Sequence, residues 1–193
     1  QTCALPIFSF NLDRCSEDSD EEVRSSVVCK FMSGWIVQDG SELSLLNPPR
    51  LREMILYERL MASHVMPSER IEPVTLWPGG QLSECQARII VSMHTNVRRC
   101  PAMITDRRLG HNGFMVGVYP VAGGNGDSDT SPLDSVTLRL ETRSPLIPYH
   151  GVEDLKEIIK LVSNSSVDSV KASRPAKVKE YLAKEATRDR KST

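Results

Sequence analysis

A period of two runs through Ser135 to Thr142, where Val136, Leu138 and Leu140 alternate with Thr137, Arg139 and Glu141. Successive side chains of a strand point to opposite faces, so this is the pattern of an antiparallel sheet with one wet face. Phe114 to Val121 reads as its partner strand, joined through the polar loop Gly123-Gly124-Asn125-Gly126-Asp127-Ser128-Asp129. Nearer the N-terminus, Val27 to Phe31 and Trp35 to Val37 are β-type runs. Gln38-Asp39-Gly40-Ser41 is a hairpin signal, and Leu43 and Leu45 alternate on the returning strand. Pro73 to Trp77 is a further short strand, closed by the turn Pro78-Gly79-Gly80.

Helical spacing appears in three places. Asn47-Pro48-Pro49 reads as a cap with proline in the first turn, opening a helix to about His64 with Leu51, Met54, Ile55, Met61 and Val65 as its stripe. A second helix starts near Val152, burying Val152, Leu155, Ile158, Ile159 and Val162, with Glu153 and Asp154 at its positive end. The last, from Pro175 to about Thr187, has only Val178, Tyr181 and Leu182 as sizeable apolar residues and is expected to form best on a partner surface. Ala87 to Met93 admits two readings, a strand or part of a helix beginning near Ser83. The β-branched run Ile89-Ile90-Val91 and the preceding turn favour the strand. The fold class expected is α+β, mainly antiparallel β with two or three amphipathic helices, as one globular domain with tails.

Composition divides the chain further. Residues 1–7 resemble the translation of a sequencing adapter and are set aside. Residues 8–22 form an acidic arm, with six acids against one arginine from Asp13 to Glu22. Residues 23–163 make the β-rich domain. Residues 164–193 make a serine-rich linker and a basic helix or tail, with eight basic residues against three acids from Lys171 onward. No apolar run approaches the roughly 18 residues of a membrane span, and no secretory signal is legible. Cys15, Cys29, Cys85 and Cys100 lack a CxxC pair and are expected as free thiols. These features predict an intracellular protein, cytoplasmic or nuclear.

Catalytic signatures with a recognisable spacing are missing, and no cofactor is expected. Cys85, His94, Cys100 and His111 are too widely spaced for an ordinary zinc site. The glycine-rich loop lacks the Lys-Ser/Thr pair of a phosphate cradle. His150 near Asp154 has the makings of a base with its orienting carboxylate, without a nucleophile to join it.

The strongest chemical candidate is basic. Arg88, Arg98, Arg99, Arg107 and Arg108, with His94 and His111, fall within 24 residues that contain one acid, Asp106. Converging on one face they would bind phosphate backbones or anionic headgroups, extended by Lys177, Lys179 and Arg188 of the tail. The order of elements, from acidic arm through strands and helix to basic tail, resembles that of viral matrix-type structural proteins. That resemblance implies self-association and contact with nucleic acid, a nucleocapsid or an anionic membrane surface. Two other classes remain open: an enzyme fragment with His94, Asp106, His111 and His150 as dispersed catalytic residues, or a protein–protein module docking through its final helix.

Overall fold

In the computed structural model the described residues are 26–39, 41–93, 101–121, 133–164 and 169–191. The chain divides into two compact units, Gln1–Pro48 and Pro49–Thr193.

The first unit is an antiparallel meander of β1 (Ser26–Phe31), β2 (Gly34–Asp39) and β3 (Glu42–Leu46). The β2–β3 hairpin expected from the sequence is present, with Asp39 opposite Glu42 and two residues between them. The β1–β2 turn holds Met32 at φ +52°. Pairing of Ile36 with Leu45 and Gln38 with Leu43 puts one apolar set on one face, while Trp35 with Leu46 and Val37 with Val27 put a second on the other. A bulge between Val27 and Cys29 leaves Val28 as the extra residue of β1. Gly34 is buried because Leu45 crosses it: a Cβ there would meet Leu45 Cδ1 at 2.9 Å.

The second unit is built on a four-stranded antiparallel sheet in the order β4-β7-β6-β5. Its strands are β4 (Glu69–Trp77), β5 (Ala102–Met103), β6 (Met115–Pro120) and β7 (Val136–Arg143). The alternation in β7 is realised as expected: Val136, Leu138 and Leu140 are buried and Arg139 and Arg143 exposed. Across the inner face lie α2 (Glu84–Ser92), α3 (Arg107–Gly110) and α4 (Val152–Asn164), whose Ala87, Ile90, Leu109, Leu155, Ile158 and Ile159 join Leu76, Val116 and Val118 in the main core. On the outer face the Tyr119 ring lies over Gly117, where a Cβ would meet the ring at 2.6 Å. Its hydroxyl donates to Glu141 Oε1 at 2.8 Å, and the Arg139 guanidinium stands 5.1 Å from its centroid.

The α+β class and both antiparallel sheets agree with the sequence reading; the helices among the described residues number five, with α2 and α3 added. Ala87 to Met93 is helix and not strand. The reason is local: Ser83 Oγ accepts from the Gln86 backbone N–H while the Gln86 side chain reaches back to Ser83 N, a complete capping box. Once the helix is nucleated, Ala87 and Ile90 share its buried side.

Helices α1 (Pro48–Ser63) and α5 (Ala176–Lys191) share a smaller core of Met61, Met66, Ile147, Val178 and Leu182, with Tyr57, Leu60 and Tyr181 at its margin. Helix α1 begins where the prolines predicted, yet it turns Tyr57, Leu60 and Met61 inward and leaves Met54, Ile55 and Val65 exposed. The thin stripe of α5 is thus covered within its own unit, which removes it as a free docking face.

Candidate functional site

The basic residues singled out by sequence are distributed over three helices. Arg88 on α2 is exposed and paired with Glu84 at 2.5 Å. On α3, Arg107 is exposed, whereas Arg108 folds back onto Asp106 at 2.6 Å. Asp106 caps that helix by accepting from Arg108 N at 2.7 Å. Burial would raise the Asp106 carboxyl, but the hydrogen bonds and charge of Arg108 hold it below its ordinary value. On α5, Lys177 Nζ donates to Asp154 Oδ2 at 3.0 Å, Lys179 is half-buried, and Arg188 pairs with Glu185 at 2.6 Å. Arg98 and Arg99 lie outside the described residues, as do His94, Cys100 and the loop 123–129. Arg88, Arg108, Lys177 and Arg188 therefore each meet a carboxylate, which diminishes the field they present to an outside anion.

The supposed base and its carboxylate are also spent elsewhere. His150 is 1% exposed and stacked on Phe114 with centroids 4.3 Å apart. Its Nδ1 accepts from Ser144 N at 3.2 Å, so the proton sits on Nε2, a buried atom without a partner among the described residues. Burial pushes its pKa down to about 4, against the pull of Asp154. Asp154 itself accepts from Gly151 N at 3.0 Å at the start of α4 and from Lys177. Among the described residues no group of three or more His, Cys, Asp or Glu is placed to hold a metal ion. Cys29 and Cys85 are free and exposed.

Two arrangements stand out that the sequence did not announce. The first is the meander, in which Val27, Val28, Phe31, Met32, Leu43 and Leu45 are all more than half exposed. Single exposed apolar residues are ordinary, but Phe31, Leu43 and Leu45 share the Ile36 face of one three-stranded sheet and form a patch of the kind that marks contact with another chain. Strand periodicity located these residues and carried no signal about what covers them.

The second is a hub around Arg174, which has 0% exposure and no carboxylate partner among the described residues. Its guanidinium donates to Met61 O at 3.2 Å, to Leu60 O at 3.4 Å and to His64 O, all at the end of α1. It also donates to His111 O at 2.5 Å and to Asn112 Oδ1 at 3.3 Å, just past α3. Helix C-termini present unsatisfied carbonyls and a partial negative charge, which is what a fork of five N–H groups can satisfy. Burial lowers the Arg174 pKa to about 10. Its position between Ser173 and Pro175 gave no sign of this role, because its acceptors are more than 60 residues away in sequence.

No family model matches the chain. The chain is 32% identical over 162 residues to PMS1 protein homolog 1 of Homo sapiens, an alignment that covers 82% of this chain and 16% of the human protein. The chain thus spans about a sixth of the length of the curated relative it matches. This likeness overturns the viral matrix-type reading, along with the nucleocapsid and membrane-surface contacts attached to it. That reading rested on the order of elements, whereas the likeness holds residue by residue along most of the chain. No helix among the described residues is long and apolar enough to cross a membrane.

Proposed function

We propose that this chain is a segment of a nuclear DNA mismatch repair protein, and that within it the β1–β3 meander pairs with a second copy of the chain. The likeness to PMS1 protein homolog 1 supports the repair setting, and with it nucleic acid as a partner of the whole protein. The observation that carries the pairing role is the exposure of the meander, where Leu43 is 69% exposed and Leu45 59%. A three-stranded sheet needs cover over its apolar surface to be stable, and a self-complementary patch closes as a two-fold dimer. A binding role for the described residues, in place of a catalytic one, is supported by the engagement of His150 and Asp154 with the backbone and Lys177.

The test is light scattering of the full chain against concentration, with Leu43→Glu/Leu45→Glu beside the wild type. The expected result is a wild-type dimer at micromolar concentration and a variant whose dissociation constant rises by roughly a hundredfold, about 1–2 kcal/mol for each lost anchor. A wild type that stays monomeric throughout, or a variant that dimerises equally well, overturns the pairing role.

A further inference from the structure

Helix α5 meets the rest of its unit over a small apolar core to which it contributes Val178 and Leu182, with Tyr181 at the edge. Its polar attachments lie at its first turn, where Ala176 N donates to Glu157 and Lys177 to Asp154, at Thr187, which donates to Glu53 Oε1 at 2.8 Å, and at its approach through Arg174. Arg174 binds the carbonyls of His64 and His111 and is flanked by both imidazoles. His64 Nε2 and His111 Nδ1 are buried and have no hydrogen-bond partner among the described residues. The hub thus joins one fixed cation to two rings, each with a buried nitrogen that lacks a partner among the described residues, although the His111 ring also meets the His64 backbone in a hydrogen bond that favours its protonated form.

The charged groups facing these rings come from each neighbouring element. Arg174 stands beside both; Glu185 of α5 faces His64; Arg107 of α3 faces His111, and the two rings also oppose each other. Glu185 is the one carboxylate that acts on either ring among the described residues, and it is already paired with Arg188. A proton on either ring would therefore set a second cation beside a buried guanidinium that has only carbonyl dipoles to offset it.

We propose that His64, His111 and Arg174 form an acid-operated latch that holds α5 closed when both rings are neutral and releases it when either takes a proton. Consistent with this geometry, burial and the Arg174 charge both hold the two imidazoles below their ordinary value. Release uncovers Met61, Met66 and Ile147, while the main core beneath the β4–β7 sheet contains no residue of α5 and stays packed. Opening of one element below the global transition is the usual form of such a step.

The experiment is amide hydrogen exchange on the full chain from pH 7.5 to 5, corrected for intrinsic exchange rates, comparing α5 with β6 and β7. In the wild type, α5 protection should fall about tenfold or more beyond that of the strands as the rings take up protons. In His64→Gln/His111→Gln the excess fall should vanish. If the double variant does not fold at pH 7.5, the two single variants are used, each expected to reduce the excess. A wild type in which helix and strands lose protection together overturns the latch. So do variants that keep the full excess, or a His150→Gln chain that alone abolishes it.

Discussion

The β1–β3 meander and the β4–β7–β6–β5 sheet are both antiparallel, and both alternate apolar with polar residues, yet their side chains end in opposite environments. Leu138 and Leu140 on β7 are essentially inaccessible, whereas Leu43 and Leu45 on β3 are mostly exposed. Pairing is antiparallel in both β6–β7 and β2–β3, and the register of the exposed pair is the more regular, since β6–β7 slips between Met115 and Val116. What differs is the cover: α2 and α4 lie over the larger sheet, and among the described residues before Pro48 there is no helix. Backbone pairing therefore sets which residues share a face, and the stability drawn from that face depends on a second layer.

The sharpest way to break the symmetry is truncation within the covered sheet. Leu140→Ala should cost about 2–5 kcal/mol, read as a lower urea midpoint with an unchanged slope, because a cavity forms where the core cannot collapse. Acid should produce the next largest effect, again confined to the larger unit, since residues 26–46 contain no histidine. His150 has a folded pKa of about 4 against an ordinary 6.5, so the unfolded chain binds the proton first. Its contribution is therefore complete above about pH 6.5, declines as pH falls and is lost on passing through about pH 4. The full loss is about 3 kcal/mol, to be measured as the change in unfolding free energy between pH 7 and 4 that disappears in His150→Gln. The smallest effect belongs to the meander. Leu43→Ser should lower the unfolding free energy of the isolated chain by no more than about 0.5 kcal/mol, as surface substitutions do. A larger loss at low protein concentration would show that Leu43 is covered within a single chain.

The same contrast explains what could be read from the sequence. Strand β7, the β2–β3 hairpin and the buried stripe of α4 were legible because periodicity is a local property, visible within a dozen residues. The α2 segment was misread because β-branched content was weighed above a cap: Ser83 and Gln86 form the box that starts a helix. The start of α1 was legible and its inward face was not, since that face is selected by α5, more than a hundred residues later. Of the basic residues, Arg88, Arg108, Lys177 and Arg188 were visible as charges, but the carboxylate that each meets was not. Arg174 was counted among the tail charges, and its burial depends on α1 and α3 carbonyls that no local pattern connects to it.

The reach of Arg174 also bears on how the chain is made. Leu60 precedes it by 114 positions, so the end of α1 leaves the ribosome long before the group that will satisfy its carbonyls. During that interval the carbonyls of Met61 and His64 lack the guanidinium, and Met61 has Met66 and Ile147 beside it but not yet Val178 and Leu182 of α5. The larger sheet and its helices α2 and α4 lie within the intervening stretch, so the cover that α5 gives α1 is the last part of the unit to be translated although α1 is the first. A nascent chain halted before Ser173 would carry every strand of the larger sheet but neither Arg174 nor α5.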